Sequence, residues 1–227
     1  MKIALISDVH SNFLYLQKVL EHIDSCGAAQ VYCLGDLIGY YDEPNQVIDV
    51  IRKRNITCIK GNHEKYLLGD LEYNSDKEII YGFKKQKQEI TKDNFNFLKT
   101  LKDEIVLEIS NKKIYMTHSL PGNIESYLYD IGMIDSNFLK YCDYYCFGHT
   151  HIPSILYKNG TCVINPGSVG QPRDYTKQSS YAIIDFQKNN VLIQKVDQDY
   201  EFFSKKMICC GYHSSLIKIL KRDKNES

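Results

Sequence analysis

Residues 3–10 read Ile-Ala-Leu-Ile-Ser-Asp-Val-His. Four apolar residues in a row, then a step to Asp8 and His10, fit a short strand buried on both faces. The same pattern returns at Val31–Leu34, followed by Gly35-Asp36, and at Ile56–Ile59, followed by Gly61-Asn62-His63-Glu64. Helical spacing fills the gaps. Phe13, Leu16, Leu20 and Ile23 follow a candidate N-cap at Ser11, and Val47, Val50 and Ile51 follow Pro44. This β-α-β-α-β order predicts parallel strands joined by right-handed crossovers.

Downstream the pattern changes. Residues 66–102 read as polar helix, with Ile79, Ile80, Phe83, Phe95, Leu98 and Leu101 as apolar positions and Thr91 as a cap. Three hairpins are expected: Glu104–Ile109 with Lys113–Thr117, Ile155–Tyr157 with Cys162–Ile164, and Tyr181–Phe186 with Val191–Val196. Tyr144–Phe147 is a further strand, and residues 212–227 a short basic helix and frayed tail. With no repeat or linker, residues 1–227 read as one domain with two strand-rich halves. Residues 66–102 are then a helical insertion governing substrate access.

The chain has 227 residues, 43% hydrophobic and 25% charged, with zero formal net charge. That is the composition of a globular protein with a core, and it argues against a nucleic-acid coat or a basic membrane surface. The apolar run before Asp8 is too short for a signal-peptide core, and none approaches the ~18 residues of a membrane span. The eight cysteines form no Cys-x-x-Cys pair and read as reduced, small hydrophobes in a cytoplasmic protein. The adjacent Cys209 and Cys210 have no role legible in the sequence. Among 28 basic residues only four are Arg, and Arg173 lies in a Gly/Pro-rich loop beside the polar segments. Arg suits bidentate phosphate contacts better than Lys does.

Asp8, Asp36 and Asn62 each fall just past an expected parallel strand, where ligands of open α/β sheets gather. Five of the seven histidines lie in five polar segments: Asp8-Val9-His10, Gly35-Asp36, Gly61-Asn62-His63-Glu64, His118, and Gly148-His149-Thr150-His151. Asp8 and His10, like His149 and His151, stand at i and i+2, so an extended backbone would aim both members of each pair the same way. Gly35, Gly61 and Gly148 would allow sharp turns and leave room for ions or phosphate. Carboxylate plus imidazole suits divalent Mn, Fe, Ni or Zn, and the lack of cysteine argues against a structural zinc site. Asp36 could bridge two ions through its two oxygens. Two adjacent ions can lower the pKa of a shared water and clamp the attacking and leaving oxygens of a phosphoryl transfer.

The ordered set Asp-x-His, Gly-Asp, Gly-Asn-His-Glu, a lone His and Gly-His-Thr-His resembles the calcineurin-like metallophosphoesterase superfamily. Asn165-Pro-Gly-Ser-Val-Gly-Gln-Pro-Arg173 resembles its compact bacterial and archaeal phosphodiesterase branch, which is also similar to diadenosine tetraphosphatase-like phosphatases. The resemblance implies an α/β, four-layer αββα sandwich of two mixed sheets flanked by helices. It implies Asp8, His10 and His151 as ligands of one metal, Asn62, His118 and His149 as ligands of the other, and Asp36 as the bridge. His63 would give a proton to the leaving group or stabilise the transition state, with Glu64 orienting it. Asn62 would also hold phosphoryl oxygens. The implied cofactors are two divalent ions, manganese first. The expected partner is a small phosphorylated substrate; no membrane is expected, nucleic acid is disfavoured as a partner, and a homo-oligomer is left open.

Each residue also has a plainer reading. Asp8 could cap a helix, His118 could be structural, and Glu64 could sit in a first helical turn for the dipole. Arg173 could lie on the surface, and Gly167-Ser168 reads as a tight turn. The Tyr40-Tyr41 pair reads as half-buried rather than base-stacking, and His22 and His213 fall outside the set. Order and number of segments favour the metal site. Without a large capping domain the site is expected to be open, favouring small diesters, monoesters or nucleotides. Dinucleoside polyphosphates and phosphoproteins remain alternatives. A protein-binding scaffold of the same fold is the rival, though it would not need His63. A DNA exonuclease is disfavoured by length and charge.

Overall fold

In the computed structural model, which describes residues 1–221, β1 (Lys2–Ile6) leads into α1 (Phe13–Ser25), β2 (Gln30–Cys33), α2 (Pro44–Lys53), β3 (Thr57–Cys58) and α3 (Asn62–Leu68). β1, β2 and β3 pair in parallel, as the alternation requires. The N-cap of α1 is Asn12 rather than Ser11: Asn12 Oδ1 accepts from Tyr15 N at 3.2 Å, while Ser11 sits at φ 57°. β3 is shorter than its apolar run; Ile59 beyond it still donates to Cys33 O at 3.1 Å and forms an isolated bridge with Lys102. On α2, Ile48 is buried and Val50 only half-buried, so the core stripe is rotated slightly from the one expected.

Residues 66–102 are helical in pieces: α4 (Glu78–Tyr81), α5 (Phe83–Glu89) and α6 (Lys92–Thr100). Thr91 caps α6, its Oγ1 accepting from Asn94 N at 3.3 Å. Then come β4 (Glu104–Ile109), β5 (Lys112–Thr117), α7 (Ser136–Leu139), β6 (Tyr144–Cys146), β7 (Ser154–Lys158), β8 (Thr161–Asn165), β9 (Ser179–Asp185) and β10 (Asn190–Val196). The chain continues through α8 (Tyr200–Cys209) and α9 (Ser214–Lys221). The frayed tail expected at the end of 212–227 lies outside the described residues from 222 onward. Both Cys209 and Cys210 are exposed.

All three hairpins form. One sheet has the order β10-β9-β1-β2-β3 and the other β4-β5-β6-β8-β7. The sheets therefore do not divide the chain into halves, since the last hairpin returns to lie antiparallel against β1.

Strand alternation builds the layers. Ile3 and Leu5 of β1 and Ala182 and Ile184 of β9 meet Ile114, Met116, Cys146 and Ile164 of the other sheet in one core. Ala4, Ile6, Tyr181 and Ile183, on the opposite face, pack against Leu16, Val19, Leu20 and Ile51 of α1 and α2. Tyr115, Tyr145 and Val163 turn outward to Leu128 and to Leu139 of α7. Two five-stranded mixed sheets thus stack face to face between outer helices, giving the αββα order. Among the described residues no helix is long and apolar enough to cross a membrane.

Leu5 is fully buried between the sheets, whereas Leu192 is 46% exposed. Leu5→Ala is expected to cost about 2–5 kcal/mol in urea unfolding, and Leu192→Ala less than about 0.5 kcal/mol.

Candidate metal centre

The loops after β1, β2, β3, β5 and β6 carry the five polar segments to one place. Those after β1, β2 and β6 do so through left-handed turns rather than extended backbone. Asp8 (φ 55°), His10 (53°), Asp36 (56°), His149 (66°) and His151 (59°) all adopt positive φ. Asp and His tolerate this region better than most residues, but each instance still costs roughly 1–3 kcal/mol that the surroundings must offset.

Backbone hydrogen bonds supply part of that offset. Val9 N and His10 N both donate to Asp36 O, at 2.8 and 2.9 Å, and Ser11 N donates to Leu37 O at 2.8 Å. On the other side, Ser168 Oγ donates to Asp8 O at 2.7 Å, and Asn165 Nδ2 donates to Gly148 O at 2.8 Å. The Asn-Pro-Gly-Ser turn is therefore a brace for two ligand loops. Gly35, at φ 96°, turns sharply as expected, but the space it frees is taken by chain: a Cβ there would lie 2.6 Å from Gly61 N.

The side chains converge as three groups whose ligand atoms all lie within 4.8 Å of one another: Asp8, His10 and His151; His10, Asp36 and His63; and Asp36, His118 and His149. Asn62 joins the last, its Oδ1 lying 3.1 Å from His118 Nε2. His149 and His151, two residues apart, thus serve different groups. Tautomers follow from the outer partners. Nδ1 of His10, His118 and His151 lies 3.1, 2.7 and 2.7 Å from the carbonyls of Ile38, Leu34 and Gln171. Each Nδ1 carries its proton outward, so that in His10 and His151 Nε2 turns a lone pair inward. His149 is reversed, with Nε2 at 3.2 Å from Glu125 O.

The inward atoms are acceptors facing acceptors. His10 Nε2 and His151 Nε2 are 3.1 Å apart, and Asp8 Oδ1, 3.3 Å from His151 Nε2, is buried with no hydrogen-bond donor among the described residues. An arrangement of lone pairs and orphaned carboxylate oxygen is unfavourable by itself and fits bound cations.

Titration follows the same logic. Burial, with the neighbouring His63 and His151, holds His10 well below the usual imidazole range. Burial, with His118 nearby, pushes His149 down to about 3. Burial also opposes charge on His118, yet Asp36, 3.4 Å away, and Asp8 outweigh it and raise His118 to about 10. In the metal-free protein that single imidazolium is what compensates Asp36.

His63 follows Asn62 at the start of α3, with Nε2 3.9 Å from Asp36 Oδ2 and Nδ1 buried without a partner. Only glycine at position 39 admits the ring, since a Cβ there would stand 2.0 Å from Nδ1. The Glu64 carboxylate, expected to orient His63, is engaged elsewhere. Its oxygens accept from Asp36 N (2.9 Å), Leu37 N (2.8 Å), Ile38 N (3.3 Å) and Gly61 N (2.7 Å). It positions the Asp36 loop, not the imidazole.

Arg173 lies beside the centre. Its Nη2 donates to Gln171 Oε1 at 2.7 Å and to Tyr40 OH at 3.3 Å, and among the described residues no carboxylate pairs with it. Tyr40 is half-buried as expected, but it also packs edge-on to His10 at 4.5 Å and lies 4.8 Å from His63.

The site is not open. Asp36, His63, Asn62 and His149 are 1, 2, 4 and 6% exposed. Tyr66, Tyr81 and Phe83 from the helical stretch crowd His63, and Tyr127 covers His149. The loop at 120–129, after His118, escaped sequence reasoning. Its only signal was Glu-Ser-Tyr-Leu-Tyr at 125–129, alternating about one apolar anchor, Leu128. His22 is spent on Tyr181 OH at 2.8 Å.

Residues 1–189 match the family model of the calcineurin-like phosphoesterase superfamily domain. The chain belongs to that superfamily and is a metallophosphoesterase, a hydrolase of phosphoric esters that uses divalent metal. It is 33% identical over 223 residues to an uncharacterised protein of Methanocaldococcus jannaschii, covering 91% of each. It is 31% identical over 109 residues to the probable metallophosphoesterase YsnB of Bacillus subtilis, covering 48% of this chain and 63% of that one. A metallophosphoesterase from Sphaerobacter thermophilus superposes with a TM-score of 0.80 at 26% identity, covering 97% of this chain and 98% of that one.

Asp36 raises His118 to about 10, so a metal ion ligated by His118 would have to displace that proton. Affinity for Mn²⁺ should rise roughly tenfold per pH unit between about pH 6.5 and 8.5, with about one proton released on binding in calorimetry across buffers of different ionisation enthalpy. Affinity independent of pH would contradict it. Glu64→Gln, which keeps the shape but not the charge, should lower stability by about 1–3 kcal/mol and weaken metal binding through the Asp36 loop.

Proposed function

We propose that the chain is a dinuclear phosphoesterase acting on small phosphodiesters, phosphomonoesters or nucleotides. The observation that carries this reading is the position of Asp36, which belongs both to the group with His10 and to the group with His118 and His149. One ion would be held by Asp8, His10 and His151, the other by Asn62, His118 and His149, with Asp36 between them. Manganese is the first choice, with iron, nickel or zinc as alternatives for an Asp/His/Asn donor set. When bound, the ions supply Lewis acidity that activates water and offsets phosphoryl charge.

The remaining work falls to side chains. Arg173, a cation with no carboxylate partner among the described residues, pairs with non-bridging phosphoryl oxygens, and Asn62 holds another. His63 hands a proton to the departing alkoxide. Burial pushes His63 down to about 4, and a phosphoryl anion beside it favours the protonated form that this role needs. The tyrosines over the centre limit water entry and exclude long polymers, which supports small substrates over nucleic acid. Residues 66–102 act as the access element, through Tyr66, Tyr81 and Phe83, of what we take as one catalytic unit. Eight free cysteines support a cytoplasmic setting. A scaffold would need neither the His63 pocket nor the inward lone pairs.

With a chromogenic diester and Mn²⁺, His63→Asn should lower kcat by about 10²–10⁴-fold while metal content stays near two ions per chain. Unchanged turnover would remove His63 from the mechanism. Arg173→Ala should lower kcat/KM by about 10–100-fold with metal content intact, as expected for loss of a charge-assisted phosphate contact.

A further inference from the structure

Beyond the residues that handle phosphate, a second feature adjoins the centre. Tyr127 lies against the His149 ring at 4.3 Å between centroids and 31° between planes. Tyr129 runs parallel to Tyr127 within 8°, at 5.7 Å. Both rings face solvent, Tyr127 at 46% and Tyr129 at 64% exposed. Between them Leu128 is buried against Tyr145, Phe147 and Val163, which pins the segment. The loop is tied down again at Glu125: its carbonyl meets His149 Nε2 at 3.2 Å, and its carboxylate accepts from Tyr66 OH. Two exposed, parallel aromatic rings are thus held in place beside the reacting centre.

We propose that Tyr127 and Tyr129 form a stacking subsite for a nucleobase, so that nucleotides are preferred over esters lacking an aromatic group. This rests on the phosphoesterase reading and deepens it. An isolated exposed tyrosine needs no explanation, but this pair is built on a metal-ligand candidate and ordered by a buried anchor. Pre-ordering lowers the entropic cost of seating a ligand. The parallel rings cover each other's inner faces, so the outer face of Tyr129, backed by Tyr127, is the one left for a purine, which covers such a face as a sugar or alkyl chain does not. Arg173 supplies the second point of recognition. Its guanidinium carries the charge for phosphate, and the Tyr40 phenol fixes it at 3.3 Å. Phosphate on Arg173 and the ions, with the base on the tyrosines, is two-point binding of a nucleoside phosphate. Base–aromatic stacking tolerates any base, so the subsite selects nucleotides as a class and not one base.

The test is calorimetric binding of adenosine 5′-monophosphate and of ribose 5-phosphate to the Mn²⁺-loaded protein. These ligands share phosphate and sugar and differ in the base. The nucleotide should bind about 10–100-fold more tightly, the scale of one stacked base. Tyr127→Ala should bring the ratio to within about threefold of one, and Tyr127→Phe should keep it. Tyr129→Ala, at a position 64% exposed, should lower the ratio without disturbing the fold. Equal binding of the two ligands by the wild type would overturn the proposal, as would a ratio that survives both alanine variants. The same samples are assayed for ester hydrolysis. A nucleotide preference without turnover of any ester would count against the phosphoesterase reading and leave the stacking subsite standing.

Discussion

The buried carboxylate of Glu64 accepts four backbone amides, from Gly61 on its own helix and from Asp36, Leu37 and Ile38 on the neighbouring loop. These bonds fix the start of α3 against the end of β2, and much of the centre hangs on that join. The loop so held presents the Asp36 carboxylate. It offers Ile38 O to His10 Nδ1 and Asp36 O to the amides of Val9 and His10. Asp36 in turn accepts the amide of His63 at 2.9 Å, closing the circuit. Burial and the nearby Asp36 push the Glu64 carboxyl up to about 7, and the amides of Gly61 and Asp36 pull the other way by favouring its charged form. The positive-φ turns at Asp8, His10 and Asp36 persist because this network over-determines them.

A second constraint acts through protons. Backbone carbonyls take the outer N–H of His10 and His151, so their inner nitrogens cannot hydrogen-bond to one another or to Asp8 Oδ1. Without a metal, relief comes from the proton on His118 beside Asp36. The fold thus sets the donor geometry in advance and meets its electrostatic cost with one proton. The loops carrying these groups come from both sheets, so the face-to-face packing of the two sheets is what assembles them.

Much of this was legible in the sequence. The apolar runs before Asp8, Asp36 and Asn62 gave the parallel strands, and the short polar turns gave the hairpins. What escaped were features that depend on contacts distant in sequence. Ser11 and Asn12 are both good cap residues, and only the turn that throws Ser11 to positive φ selects Asn12. The return of β9 and β10 to β1 depends on inter-sheet packing that no local pattern records. An i, i+2 spacing suggests extended chain, whereas left-handed turns deliver the groups: Asp8 and His10 still meet in one group, but His149 and His151 part to different ones. Glu64 looked like a partner of its neighbour and proved to be a partner of the amides 26–28 residues earlier. The closed mouth was missed for the same reason: Tyr127 and Tyr66 are far apart in sequence and ordinary in composition.

The account stands or falls on whether Asp36 lies between two ions. Anomalous diffraction from crystals soaked in Mn²⁺ decides it. Two peaks about 3.5–4 Å apart are predicted, one among Asp8, His10 and His151, the other among Asn62, His118 and His149, with Asp36 touching both. A single peak, or ions bound away from Asp36, would contradict it.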